Sequence, residues 1–124
     1  MVTSFRDLDV WRLGVELAEL VYRCTARFPR SEVFGLSAQM RRSAVSIPSN
    51  IPEGRARNSS REFLHFLSIS RGSLAELETQ LELAIRLDYA DSGLRTAMTQ
   101  SDVLGKKLNR LQSSIRDRLP IPKH

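Results

Sequence analysis

The feature that most restricts this chain is the spacing of its apolar residues over the last third. Leu94, Ala97, Ser101, Leu104, Leu108, Leu111 and Ile115 advance by 3, 4, 3, 4, 3 and 4 residues. That step keeps one stripe on one side of an α-helix, and it cannot serve a strand, whose sides alternate every second residue. Lys106, Lys107, Arg110 and Arg116 fall on the other faces, and the seam has the a/d spacing of packed helices. Asp91 or Ser92 is placed to cap the start of this helix, and Pro120 to end it.

Three breaker clusters divide the chain: Pro29–Ser31, Glu53–Ser60 and Tyr89–Gly93. Four segments remain, and the expected helices cover about 6–28, 34–57, 60–88 and 92–118, with 119–124 a short tail. Ser59-Ser-Arg-Glu62 has the pattern of a capping box at the third start. Phe63, Phe66, Leu67, Leu74, Leu77, Leu81 and Ala84 then form one broad stripe. The first segment carries two stripes, one of Trp11, Val15, Ala18, Val21 and Tyr22, the other of Leu13, Leu17, Leu20 and Cys24. That exceeds what one helix shows to a monomeric core, so self-association is expected to cover the surplus. Pro48 and Pro52 predict a kinked or interrupted second helix. Four helices joined by short links imply an all-α fold, an antiparallel up-and-down four-helix bundle of one domain.

With 124 residues the chain suits one domain that completes a core without metal or disulfide. No apolar run reaches the ~18 residues of a membrane span, and the N-terminus lacks the apolar stretch of a signal peptide. The single cysteine offers no internal disulfide, so a cytoplasmic location and no membrane partner are expected.

Catalytic and metal constellations are sparse. Glu62-Phe-Leu-His65 is a Glu-x-x-His step of the kind used in di-iron bundles, but the second step is missing and the other histidine is His124. Cys24 follows Leu20 by one helical turn on an apolar stripe, where cysteine behaves as a small hydrophobe. There is no Gly-x-Ser-x-Gly elbow and no phosphate-loop signature. The expectation is a protein that is not an enzyme, with no catalytic residue, no metal and no cofactor.

Charge is more informative. Nineteen Lys and Arg against fourteen Asp and Glu give +5. Residues 35–61 hold five basic and one acidic residue, whereas 62–88 hold two basic and five acidic. The basic block contains Arg41, Arg42, Arg55, Arg57 and Arg61, whose guanidinium groups match phosphate oxygens bidentately. They are the candidate nucleic-acid ligands, through backbone contact rather than base stacking, because aromatic residues make up only 6% of the chain. The same charge also suits a merely solvated surface. Within the block Ser43, Ser46, Asn50 and Glu53 share one helical face. A polar stripe at core-like spacing is either a hydrogen-bonded packing seam or a ligand surface, since unpaired buried groups cost roughly 1–3 kcal/mol each.

These residues resemble the four-helix bundle family of 23S rRNA intervening-sequence proteins, also called S23 ribosomal proteins. The resemblance runs from Phe5 to about Leu119. It is carried by Phe5-Arg-Asp-Leu-Asp-Val-Trp11, by Gly35-Leu-Ser-Ala-Gln-Met-Arg-Arg-Ser-Ala-Val-Ser-Ile-Pro-Ser-Asn50, by Glu53-Gly54, by Arg61-Glu-Phe-Leu-His-Phe-Leu67 and by Gly72-Ser-Leu-Ala-Glu-Leu-Glu-Thr79. It implies a ring-like homo-oligomer, a pentamer, and a similarity to the accessory protein of diversity-generating retroelements, which works with a reverse transcriptase and nucleic acid. Arg41, Arg42, Asn50, Glu53 and Gly54 are the motif positions it singles out, either to bind a partner or to hold the ring together; Trp11, Asn50, Glu53 and Gly54 are expected to be structural or interfacial, with Glu53 paired to an arginine of its own chain or of a neighbouring protomer. Pro52 departs from the family, which more often has alanine there. The expected function is a non-enzymatic, oligomeric binder of nucleic acid, RNA favoured over DNA. The alternative is a scaffold that docks a protein partner such as a polymerase, suggested by the acidic Glu76, Glu78 and Glu82.

Overall fold

The computed structural model describes residues 8–89 and 92–120, the side chain of Ser92 excepted. Four helices account for most of them: α1 (Asp9–Thr25), α2 (Leu36–Arg55), α3 (Ser60–Arg86) and α4 (Ser92–Asp117), with a short 3-10 turn at Arg30–Glu32. There is no strand among the described residues. Each helix ends one to three residues short of its expected bounds at most termini, where the last turns tighten into capping turns. The expected caps of α4 at Asp91 and Ser92, the start of the first helix at residue 6 and most of the tail lie outside what is described.

Neighbouring helices run antiparallel and pack in the cyclic order α1–α2–α3–α4, with α4 closing on α1. This is an up-and-down four-helix bundle. The core draws on all four: Leu17 and Val21 from α1, Met40, Ile47 and Ile51 from α2, Leu67, Leu77 and Leu81 from α3, Leu94, Leu104 and Leu108 from α4. The α4 seam is buried as its spacing predicts, except that Leu111 is half-buried while Gln112 is 2% exposed. Gln112 is tolerated there because its amide is paired, accepting from Arg71 Nη1 at 3.2 Å and donating to Ser68 Oγ at 3.2 Å.

Neither expected stripe of α1 faces the core alone. The buried line is Val10, Gly14, Leu17, Val21 and Cys24, and it runs between the two stripes. Val15 and Tyr22 remain 41% and 44% exposed, so a surplus apolar surface is present on the α1–α2 side.

The second helix corrects the expectation of an interruption, because α2 continues through both Pro48 and Pro52. A proline removes one backbone donor and crowds the preceding turn. The carbonyls left without a donor are those of Ala44 and Pro48, and side-chain donors reach the three carbonyls between them. Ser49 Oγ donates to the Val45 carbonyl (2.7 Å), Asn50 Nδ2 to that of Ser46 (2.8 Å), and Ser70 Oγ, from α3, to that of Ile47 (2.8 Å). Pro48 also fills the space left by Gly14, where an added Cβ would lie 3.2 Å from the proline Cβ.

At one end of the bundle the two loops are latched. Tyr89 donates its hydroxyl to Glu32 Oε2 (2.8 Å), and the Leu36 N–H donates to Glu32 Oε1 (3.0 Å). These two bonds, the backbone one first, hold the Glu32 carboxyl below its ordinary range. Phe28 packs on the Tyr89 ring at 5.4 Å between centroids.

Candidate nucleic-acid interface

The polar stripe of α2 is a packing seam along α3. Ser43 is buried and Ser46 and Asn50 are half-buried. Ser73 Oγ, from α3, donates to Ser46 Oγ at 2.8 Å, and Asn50 Nδ2 also reaches that oxygen at 3.1 Å. Together with the Ser70–Ile47 bond, these contacts fix the register between α2 and α3. These contacts engage the stripe over most of its length. Only Glu53, at its end, is exposed, and it accepts from Arg57 Nη2 at 2.6 Å within the same chain. Both partners are about half exposed, so the pair contributes little to stability.

Gly54 closes the seam. A Cβ there would lie 2.6 Å from Phe66 Cβ and 3.1 Å from Phe63 Cδ1, so α2 and α3 touch at this point only because residue 54 has no side chain. Trp11 is half-buried at the start of α1, packed against the core.

The five candidate arginines separate into two groups. Arg55 follows Arg42 by thirteen helical steps, about 20 Å along the axis of α2. The structure therefore does not gather them into one patch. Arg41 turns back onto the end of α1: its Nε donates to Thr25 Oγ1 (2.8 Å), its Nη2 to the Tyr22 carbonyl (3.3 Å), and its guanidinium stacks 4.6 Å from the Tyr22 ring centroid. It neutralises the negative end of the α1 dipole. Arg41→Ala is accordingly expected to cost about 1–2 kcal/mol of stability, read as a lower unfolding temperature. Arg42, one residue on, is exposed.

Arg55, Arg57 and Arg61 lie at the opposite end, around the α2–α3 connection. A polar hollow of about 240 Å³ is lined there by Gly54, Arg55, Arg57, Asn58, Ser59 and Phe63, among others. Arg61 follows in the first turn of α3 and is exposed. Arg57 also stacks 5.1 Å from the Phe66 centroid, which holds its guanidinium at the rim. The hollow adjoins the N-terminus of α3, whose first peptide N–H groups carry partial positive charge. Ser59 caps it, accepting from the Glu62 N–H at 3.0 Å, as the capping-box pattern expects.

The metal test on Glu62 and His65 finds only a helix cap and an exposed imidazole whose ring meets Phe66 edge-on at 5.5 Å. Among the described residues no group of three or more His, Cys, Asp and Glu gathers, and His124 lies outside them. No described helix is long and apolar enough to cross a membrane.

A second hollow, about 330 Å³, lies between α3 and α4, lined by Glu78, Ser101, Asp102, Gly105, Lys106 and Asn109. The sequence marks Glu78 only as part of the acidic run Glu76, Glu78 and Glu82; its pairing with Asp102, 24 residues away, comes from the antiparallel register. Partial burial, and then the charge of Asp102, raise the Glu78 carboxyl above its ordinary range. The folded state thus holds this proton more tightly than the unfolded state, so Glu78 favours folding at low pH and loses that contribution as pH rises through its folded pKa. Glu78→Gln is expected to raise stability of the dilute chain by about 0.5 kcal/mol at pH 7 and to change it little at pH 4, in paired thermal melts.

Comparison with known proteins agrees with this architecture. A family profile described as 23S rRNA-intervening sequence protein matches residues 6–110. The crystal structure of a protein of unknown function from the S23 ribosomal protein family of Bacteroides thetaiotaomicron is similar, with a TM-score of 0.74 and 27% identity over 83% of this chain and 97% of that one. No curated protein matches the sequence.

Proposed function

We propose a function on one premise: the chain belongs to the 23S rRNA-intervening sequence protein family. It acts as a non-enzymatic, self-associating protein that binds nucleic acid through the phosphate backbone, RNA in preference to DNA. The observation that carries this reading is a polar hollow at the start of α3 lined by Arg55 and Arg57, with the exposed Arg61 next in sequence to its lining. Guanidinium forks and a helix N-terminus both favour phosphate oxygens, and neither demands a particular base. The family's description supports RNA as the polymer. Self-association is supported by the exposed Val15 and Tyr22 beside a half-buried Trp11. It would repeat these arginines on every copy, turning a formal +5 per chain into a strong polyanion field.

The test is fluorescence anisotropy of purified, nuclease-treated protein with labelled RNA and DNA across salt concentrations. Phosphate contact gives an affinity that falls steeply with salt, by about 0.7–0.9 in logarithmic slope per phosphate neutralised. Absence of binding at low salt sinks the reading.

A second reading is a protein-docking scaffold. One observation favours it: Phe34, beside Val33 in the α1–α2 connection, is 94% exposed, and a surface phenylalanine commonly anchors a protein contact. A partner held this way survives a high-salt pulldown, whereas a phosphate-bound polymer is washed off.

A further inference from the structure

In the hollow between α3 and α4, polar side chains converge without partners. Glu78 from α3 and Asp102 from α4 both line it. Neither carboxylate accepts a hydrogen bond or forms an ion pair among the described residues. Lys106 lines the same hollow one helical turn beyond Asp102, yet its ammonium pairs with neither. The two carboxylates repel one another, and the partial burial of Glu78 adds to the cost of its charge.

Ser101 is the second sign of a missing partner. It lines the hollow and is wholly buried, and its Oγ has no hydrogen-bond partner among the described residues. A helical serine or threonine can turn its hydroxyl to the carbonyl four residues back, as Thr99 does on the same helix, bonding Arg95 at 3.2 Å. Ser101 does not. A buried hydroxyl left unpaired is costly, and the hollow it lines is where a partner can reach it.

There is also room. Gly105 lies within α4, where glycine weakens a helix, and packing does not require it: an added Cβ would meet only Leu74 Cδ2, at an ordinary 3.5 Å. A side chain there would enter the hollow that Gly105 lines. The volume, about 330 Å³, holds on the order of ten water molecules.

The donor set selects the kind of occupant. It is all oxygen: two carboxylates, the Ser101 hydroxyl and the Asn109 amide. Such a set suits a hard divalent cation. Two carboxylates leave most of an octahedral shell to water, which is how magnesium is commonly held, and the retained waters are donors for Ser101 Oγ. The expectation of no metal rested on histidine and cysteine spacings, which an all-oxygen site does not carry.

We infer that the α3–α4 hollow binds a hydrated divalent cation of the magnesium type, held by Glu78 and Asp102 from the two helices, with its water shell hydrogen-bonded to Ser101 Oγ. The ion offsets the repulsion of the carboxylates and ties α3 to α4. Lys106 competes with it for the same negative charge. The site is independent of the phosphate contacts proposed above.

Manganese(II) is the probe, because its electron paramagnetic resonance signal reports the free ion. Titrated into the purified full chain, freed of nucleic acid and at fixed ionic strength, one Mn²⁺ per chain should bind with a Kd of about 10⁻⁴–10⁻³ M and be displaced by Mg²⁺. Glu78→Gln and Asp102→Asn should each raise the Kd at least about tenfold, and Ser101→Ala, which removes only an outer contact, should raise it less. Lys106→Gln should lower it about threefold. Glu76→Gln, at an exposed position of α3 outside the hollow, should leave it unchanged. Circular dichroism checks that every variant is folded, and Glu78→Gln removes a repulsion, so its lost binding is not a loss of fold. Absence of binding at millimolar Mn²⁺, binding that excess Mg²⁺ does not displace, or binding that Glu76→Gln weakens as much as Glu78→Gln overturns the site. With no nucleic acid present, none of these results bears on the phosphate contacts.

Discussion

Gly54→Ala is expected to destabilise the bundle by about 3 kcal/mol and to lower its unfolding temperature by about 10 °C. The atom it would meet is Phe66 Cβ, at 2.6 Å. A Cβ is fixed to its own backbone, so no rotamer change makes room and α2 must move away from α3. That separation is resisted nearby, where Ser70 and Ser73 bond Ile47 and Ser46 across the same pair of helices. Gly72→Ala is the control. Its methyl enters open space, and the gain in helix propensity of about 0.5–1 kcal/mol makes the expected sign opposite. Thermal and urea denaturation of the two variants decide the matter, and equal stabilities would show that Gly54 has no packing role.

Replacing Arg55, Arg57 and Arg61 together with alanine should weaken nucleic-acid binding about a hundredfold at moderate salt, and should flatten the logarithmic salt dependence by about two to three units. Two measurements separate this from a folding effect. All three side chains are exposed, and the pairing of Arg57 with Glu53 is a surface pair, so the unfolding temperature should move little. Arg41→Ala should do the reverse, lowering stability while leaving the salt slope unchanged, because its guanidinium already serves Thr25 and Tyr22. An unaltered slope in the triple variant would place the phosphate contacts elsewhere on the molecule.

The helices were legible in the sequence because their signals are local. The 3–4 spacing from Leu94 to Ile115 needs nothing outside its own segment to be read, and Ser59 caps α3 through a residue three positions away. Pro48 and Pro52 misled for a related reason. Their cost to an isolated helix is local, but α2 is held in place by contacts with other helices, such as the bond from Ser70, 23 residues away on α3, to the Ile47 carbonyl. The candidate site was half legible. Composition located a basic block, but charge counted along a chain ignores the 1.5 Å rise per residue that separates Arg42 from Arg55 by about 20 Å. Nor could it reveal that Arg41 is committed to the end of α1.

What the sequence by itself determined is the class of fold, the number of helices, the stripe each offers to a core, and the family to which the chain belongs. These follow from periodicity and from ordered motifs, which are properties of neighbours in the chain. What only the tertiary structure decided is register: which serine meets which carbonyl, why residue 54 must be glycine, and that Glu78 confronts Asp102. Register is set by contacts between helices whose partners lie tens of residues apart, and no local spacing encodes it.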